Sequence, residues 1–155
     1  MGEIRFATEK DIPRIGVLLM QVAKVHSDIR PDIFKPGLRK YDDEALREIL
    51  KDESRPIFVY DEGEGTVGYA FCEMQNYGDA NLQKRKTLYI DDLCVDERAR
   101  GKGIGRRLYL HVCEWAKAQG CYDLTLNVWE GNDAARRFYD ARGMKPKETQ
   151  MELIL

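Results

Sequence analysis

The feature that most constrains this chain is a run of three glycines and two cations, Arg100-Gly101-Lys102-Gly103-Ile104-Gly105. It follows an alternating apolar stretch that ends at Val95 and precedes apolar positions at helical spacing that begin after Arg106. Glycine lets the backbone approach an anion closely, and the start of a helix adds unpaired N–H groups. The run therefore predicts a strand-to-helix turn that holds a phosphate largely by main chain.

Composition indicates an ordinary globular chain, which we predict to be a single domain over residues 1–155. Its 155 residues are 43% hydrophobic and 34% charged, with a net charge of −2. This near-neutral balance gives no support to nucleic-acid binding, and no apolar run approaches the roughly 18 residues of a membrane span. The first residues resemble neither a signal nor a transit peptide. Four cysteines without a C-x-x-C pair argue against a metal site or disulfides and predict a cytoplasmic protein.

Hydrophobic periodicity predicts a mixed α/β sheet. Period-two alternation predicts strands over residues 3–7, 56–60, 66–74, 86–95, 123–128 and 148–155. Helical spacing predicts helices over residues 12–26, 42–51, 106–119 and 132–142. Residues 27–41, which contain two prolines, are predicted to be an ordered loop or a broken helix that walls a pocket. The alternative is a surface connection that packs Phe34 into the core.

The surroundings of the glycine run resemble the GCN5-related N-acetyltransferase (GNAT) superfamily. The signature of that family, Q/R-x-x-G-x-G/A, matches residues 100–105 at every specified position. Residues 88–96 resemble its fourth strand, residues 127–132 its fifth strand and following turn, and residues 138–144 its closing helix. The resemblance spans essentially the whole chain. It implies a mostly antiparallel twisted sheet with helices on both faces, in which the fourth and fifth strands run parallel and splay apart.

The same resemblance implies acetyl coenzyme A as the acyl donor, with its pantetheine arm in the gap between the splayed strands. The pyrophosphate would rest on the N–H groups of residues 102–106, and the N–H of Val95 would face the thioester oxygen. The implied cofactor-binding residues are Leu93, Cys94, Val95, Arg100, Gly101, Lys102, Gly103, Ile104, Gly105, Arg106, Asn132, Ala135 and Tyr139.

Acetyl transfer needs a base, because an amine attacks a thioester only when neutral, and it needs an acid to protonate the departing thiolate. The resemblance implies that Tyr139 is the acid. The alternative is that Tyr139 is a core aromatic residue that packs against Phe138. Asp91 and Asp92 are the candidate bases, because an unpaired carboxylate is costly inside an apolar strand. Neighbouring strand residues point to opposite faces unless a bulge intervenes, so ordinarily only one of the two can face the site. Asp92 could instead be structural.

The acidic pair resembles that of diamine and thialysine acetyltransferases, and it suits a positively charged acceptor amine. Where histone-type members carry a glutamate, this chain has Tyr89, which disfavours a histone acceptor. Asp91 is also a candidate substrate-binding residue. Four further residues near the predicted loop are candidates for substrate binding, at the rim of the pocket for the acceptor amine. They are His26, Arg30, Asp32 and Phe34.

The resulting prediction is an N-acetyltransferase that acts on a primary amine of a small molecule by direct attack in a ternary complex. Cys94 is therefore given no role as a nucleophile. Two alternatives stay open: acetylation of a protein N-terminus or lysine, and a non-catalytic acyl-coenzyme A sensor. The apolar tail at residues 153–155 is compatible with a homodimer or with a core strand.

Overall fold

The computed structural model describes residues 2–155, and it confirms the mixed α/β architecture. Within these residues the chain forms five strands and four α-helices. The strands are β1 (Glu3–Phe6), β2 (Ile57–Asp61), β3 (Thr66–Tyr77), β4 (Arg85–Val95) and β5 (Asp123–Leu126). The helices are α1 (Ile12–Ile29), α2 (Asp43–Leu50), α3 (Ile104–Ala118) and α4 (Asp133–Ala141). Among the described residues, no helix is long and apolar enough to cross a membrane.

The strands form one open sheet in sequence order, β1-β2-β3-β4-β5. The first four strands are antiparallel to their neighbours, whereas β4 and β5 are parallel. Their pairing is confined to residues 87–90 of β4 and residues 123–126 of β5. Beyond residue 90, β4 runs on without a partner at that edge. The predicted parting of the two strands is therefore confirmed.

Helices cover both faces of the sheet, and each face has its own apolar core. The core under α3 is built on Phe58, Leu88, Ile90, Leu108 and Val112. The core under α1 and α2 is built on Ile15, Leu18, Leu46, Val59, Tyr69 and Phe71. Because both faces are buried, β2 reads as a continuous apolar run rather than as a strict alternation.

The predicted C-terminal strand over residues 148–155 is wrong. No residue of this segment pairs with a neighbouring strand, and the side chains of Leu153 and Ile154 are 83% and 75% exposed. Apolar alternation alone does not make a strand, because a strand also needs a partner for its N–H and C=O groups. One tail contact is specific: the guanidinium of Arg30 donates to Glu152, with an Nη1–Oε1 distance of 2.9 Å.

Four element ends lie two or more residues from their predicted positions. Strand β3 runs to Tyr77, past residue 74, and helix α3 begins at Ile104, before residue 106. Helix α1 continues to Ile29, three residues past His26, where the N–H of Arg30 still bonds the His26 carbonyl at 2.9 Å. Strand β5 ends at Leu126 rather than at residue 128, because β4 no longer provides a pairing edge there. The loop predicted for residues 27–41 is thus shorter at its start, and it connects α1 to α2.

Candidate active site

The glycine run forms a turn that only glycine adopts without strain. Gly101 and Gly103 have φ angles of 81° and 76°, in the left-handed region, although an added Cβ would meet no atom at either position. Helix α3 starts at Ile104, and its first return bond runs from the N–H of Arg107 to the carbonyl of Gly103 at 3.1 Å. The N–H groups before it have no carbonyl one turn back, and Gly103 has no side chain with which to cap them. This turn, called the cradle below, leaves the first N–H groups of α3 available to an anion.

Gly105 has a different function, which is close packing. A Cβ at this position would lie 3.3 Å from the ring of Phe138 and 3.6 Å from Cγ2 of Val95. The absence of a side chain brings the start of α3 against both the end of β4 and helix α4. The side chains of Arg100, Lys102 and Arg106 are exposed around the cradle. Positive charge therefore surrounds the start of the helix.

The open edge of β4 leads away from this cradle. Residues 92–95 pair with β3 on one side, and residues 91–95 have no β5 partner on the other. At about 3.3 Å per residue, this edge is roughly 13 Å long. The side chain of Cys94 points into the core under α1, where its Sγ lies 3.8 Å from the Leu18 carbonyl. Burial raises the pKa of Cys94 to about 12, so the thiol stays protonated and is a poor nucleophile.

A β-bulge lies where the open edge of β4 begins, at the narrow end of the gap between β4 and β5. Asp92 is opposite Phe71 and Ile90 is opposite Cys72, so Asp91 is the extra residue. The side chain of Ile90 belongs to the core under α3, yet both carboxylates bond residues on the α1 and α2 side. The bulge interrupts the usual alternation of side chains along a strand, so Asp91 and Asp92 face the same side of the sheet.

Asp91 has a cation and a phenol as partners. Its Oδ1 is 2.7 Å from Nζ of Lys40, and its Oδ2 accepts a hydrogen bond of 2.7 Å from the hydroxyl of Tyr41. The guanidinium of Arg55 donates to the same hydroxyl at 3.1 Å. Burial lowers the pKa of Lys40, but the bond and charge of Asp91 outweigh it, so that this pKa is raised. Asp91 thus holds a primary ammonium group at the narrow end of the gap.

Asp92 has a phenol but no cation within bonding distance. The hydroxyl of Tyr69 donates to its Oδ2 at 2.5 Å. Burial raises the pKa of Asp92 to about 6, the negative charge of Asp91 adds to the effect, and the Tyr69 hydrogen bond opposes it. A carboxylate with such a pKa is ionised near neutral pH and is still basic enough to accept a proton, which suits a general base.

Tyr139, on α4, packs against the core under α3 and is close enough to Asp92 to be affected by its charge. Its ring packs edge-on against Phe138, with centroids 5.1 Å apart, and lies 6.3 Å from the ring of Tyr109. Burial raises its pKa, and the negative charge of Asp92 raises it further, so the phenol keeps its proton. Asn132, at the start of α4, accepts a hydrogen bond from the N–H of Ala135 at 3.2 Å. Its side chain therefore caps the helix.

The predicted acceptor rim is assembled from aromatic rings. The rings of His26 and Phe34 are 5.0 Å apart, and the ring of Trp129 meets Phe34 edge-on at 5.2 Å. Burial lowers the pKa of His26, and the positive charge of Lys40 lowers it further, so His26 is neutral near pH 7. Arg30 is held by Asp32 and by the tail, with Nε–Oδ1 of Asp32 at 2.9 Å.

Four residues of this site were not identified from the sequence: Lys40, Tyr41, Tyr69 and Trp129. Tyr69 is fully buried in a strand whose pattern predicts only core packing. Lys40 and Tyr41 lie in a loop, where no periodicity indicates the direction of a side chain. Within residues 2–155, no cluster of three or more histidine, cysteine or acidic residues is placed to hold a metal ion.

The chain resembles known acetyltransferases in sequence. Residues 22–144 match the family model described as "Acetyltransferase (GNAT) family". A glucosamine 6-phosphate N-acetyltransferase from Trypanosoma brucei brucei is 34% identical over 102 residues, covering 59% of this chain and 67% of that protein. The thialysine N-epsilon-acetyltransferase of Bos taurus is 32% identical over 98 residues, covering 63% of this chain and 52% of that protein.

A solved structure agrees with these matches over almost the whole chain. The tetramutant of the BH1408 protein from Bacillus halodurans superposes with a TM-score of 0.94 at 34% identity, covering 99% of each chain. The chain belongs to the GNAT family, and it is an acetyltransferase. It spans about half the length of the bovine relative.

Proposed function

We propose that the protein transfers the acetyl group of acetyl coenzyme A to a primary amine of a small molecule, by direct attack within a ternary complex. The observation that supports this most strongly is the pair of carboxylates that the β4 bulge places at the narrow end of the gap. The wide end of the same gap meets an uncapped, cation-flanked helix start. Anion binding and proton transfer are thus combined along one strand edge.

The residues present suit the donor. The open space around Gly101 and Gly103 and the uncapped N–H groups of α3 would hold its diphosphate. On the side of β4 that has no β5 partner, the main chain of residues 93–95 would hold the pantetheine arm as a neighbouring strand would. The thioester would lie at the inner end of this arm, near the acidic pair, rather than at the N–H of Val95. The donor supplies the activated acyl group. Every other requirement of the reaction falls to side chains of this chain.

The acceptor amine would be bound and deprotonated by the acidic pair. Asp91 would hold the ammonium group, and Asp92 would accept its proton, directly or through a water molecule. Tyr139 would protonate the departing thiolate, because its phenol keeps its proton at neutral pH. His26, Phe34 and Trp129 would close the far side of the acceptor pocket.

The relatives support an amine of a small molecule. The trypanosomal and bovine proteins are named for glucosamine 6-phosphate and thialysine, and both of these carry a primary amine. A sensor module is less well supported, because simple binding of the coenzyme needs neither a phenol nor a carboxylate of raised pKa. Protein acetylation remains the second enzymatic alternative.

The test is thiol release from acetyl coenzyme A against a panel of amino acids, polyamines, amino sugars and peptides, together with calorimetric titration of the coenzyme. Release with small amines only is the expected result. Release with peptides only would favour a protein acceptor, and tight coenzyme binding without release would favour the sensor.

A further inference from the structure

Lys40 brings a primary amine of the chain itself to the candidate acceptor position. Its Nζ lies 2.7 Å from Oδ1 of Asp91, and its side chain is 56% exposed. The next residue fixes this arrangement, because the ring of Tyr41 stacks on Phe71, with centroids 5.6 Å apart, and its hydroxyl also bonds Asp91. The loop between α1 and α2 is thereby attached to the bulge of β4 by two consecutive side chains.

We propose that Lys40 is a site of self-acetylation, at which the protein transfers an acetyl group to its own side chain. This proposal rests on the function proposed above. Asp91 is the first residue after the parallel pairing of β4 with β5 ends, so the Lys40 amine lies where the gap closes. A thioester at the inner end of an arm bound along residues 93–95 would be adjacent to it.

The step balances without any further reactant. Lys40 loses one proton to Asp92, and its nitrogen lone pair then attacks the acetyl carbon. A C–N bond forms, the C–S bond breaks, and the coenzyme thiolate leaves and takes a proton from Tyr139. The nitrogen then loses its second proton, which restores the Tyr139 phenol, and Asp92 passes the first proton to solvent. The products are an amide at Lys40 and one free thiol.

Deprotonation of Lys40 is opposed by its pairing with Asp91, which raises its pKa. An external ammonium group held by Asp91 is also harder to deprotonate because of this ion pair. Asp92, with a pKa of about 6, can accept the proton of either amine. Once acetylated, the side chain carries no charge and no longer forms an ion pair with Asp91. Modification would therefore release the acid that is expected to hold the acceptor.

Lys24 is a matched control for chemical acetylation. It is also an ion-paired lysine, with its Nζ 2.6 Å from Oδ2 of Asp28, but it lies on the exposed surface of α1. The full-length protein is incubated with acetyl coenzyme A at several protein concentrations, and acetylation at each lysine is followed by peptide mass spectrometry. Lys40 is expected to react on the order of a hundredfold faster than Lys24, the low end of what a positioned base contributes. Its half-time should not depend on protein concentration, because the reaction is intramolecular.

Variants separate the enzymatic reaction from background. Lys40→Arg should abolish the fast phase, while Asp92→Asn and Tyr139→Phe should each slow it and leave the rate at Lys24 unchanged. Equal rates at Lys40 and Lys24, or a half-time that shortens with protein concentration, would overturn the proposal. A parallel assay with small amines distinguishes the two hypotheses: amine turnover without Lys40 acetylation rejects self-acetylation alone, and neither reaction rejects the proposed function with it.

Discussion

Asp91 and Asp92 are neighbours in one strand, yet their partners give them different chemistry. Asp91 has a cation and a phenol as partners, whereas the half-buried Asp92 has a single phenol. Desolvation without a compensating cation raises the pKa of a carboxylate, which is why Asp92 is the stronger candidate base. The sequence identifies the pair, but only the positions of Lys40 and Tyr69 in space separate the two roles.

Replacing Asp92 tests its role as the base. Asp92→Asn should lower kcat for amine acetylation by on the order of 10² to 10³. In the unmodified protein, kcat should rise with pH through about 6, because the base works only when ionised. Thiol release measured across this range gives both results.

Tyr69→Phe is the matched control for that pH profile. The Tyr69 hydroxyl lowers the pKa of Asp92, so its removal should move the rising limb to higher pH without abolishing turnover. An unchanged profile in Tyr69→Phe, or full activity in Asp92→Asn, would assign the base elsewhere.

Tyr139→Phe tests the acid. The phenol keeps its proton because burial and the Asp92 charge raise its pKa, and the substitution removes the proton donor while keeping the ring. Turnover should fall on the order of 10²-fold, while the coenzyme dissociation constant measured by calorimetry stays nearly the same. A normal turnover would leave Tyr139 as a packing residue beside Phe138.

At the scale of elements, the two ends of α3 offer a comparison. Gly103 begins the helix and Gly120 follows its end, with φ angles of 76° and 78°, and a Cβ at either position would meet no atom. Alanine at each position should lower the free energy of unfolding by about 1 kcal/mol, since both must adopt a left-handed conformation.

Only one of these two substitutions should affect the coenzyme. Gly103→Ala should weaken coenzyme binding by roughly tenfold, or about 1.4 kcal/mol. Alanine disfavours the left-handed backbone conformation at residue 103, so the N–H groups of the cradle would shift. Gly120→Ala should leave the affinity unchanged. Calorimetry on both variants checks this, and equal losses of affinity would show that general destabilisation, not the cradle, is responsible.

The start of α1 is attached to the sheet by a buried carboxylate. Asp11 accepts bonds from the guanidinium of Arg5 at 2.8 Å and from the hydroxyl of Thr66 at 2.7 Å. Burial raises the pKa of Asp11, but these bonds and one from the Thr8 N–H outweigh it, leaving the pKa at about 2. This attachment joins β1, β3 and α1 in one contact.

Asp11 should therefore stabilise the fold in a pH-dependent way. The lowered pKa corresponds to about 2 kcal/mol, which is fully present above the unfolded carboxyl's pKa near 4 and is lost as pH falls through about 2. The difference in unfolding free energy between the protein and Asp11→Asn should shrink from pH 5 to pH 2 in urea titrations. Asp28→Asn, at an exposed pair, should show little difference at any pH. A constant difference for Asp11→Asn would contradict this account of its bonds.

Most helices and strands could be predicted from the local sequence pattern. The predictions differ from the structure at positions that depend on contacts with residues distant in the sequence. The hairpin of β2 and β3 and the helix after the glycines follow from periodicity and turn residues. The end of β5 depends on where β4 stops pairing, and the bulge at Asp91 depends on the register with β3. The tail has the alternation of a strand but no strand beside it, so its apolar residues remain exposed.

At the scale of the whole molecule, the site lies where elements from both ends of the chain meet. In the proposed site, helix α1 and its following loop form the acceptor side, while β4, the glycine run and α4 form the cofactor side. A family signature identifies the second group. The first group has no signature, which is why Lys40 was not predicted. The homodimer stays a prediction.

Residue-resolved amide hydrogen exchange with and without acetyl coenzyme A tests most directly whether main-chain groups of this gap hold the donor. The N–H groups of Leu93 and Val95 on the open edge of β4 and of residues 102–106 at the start of α3 should exchange more slowly when the coenzyme is bound. Exchange that is unchanged in both segments, or protection confined to another part of the molecule, would contradict the proposed site.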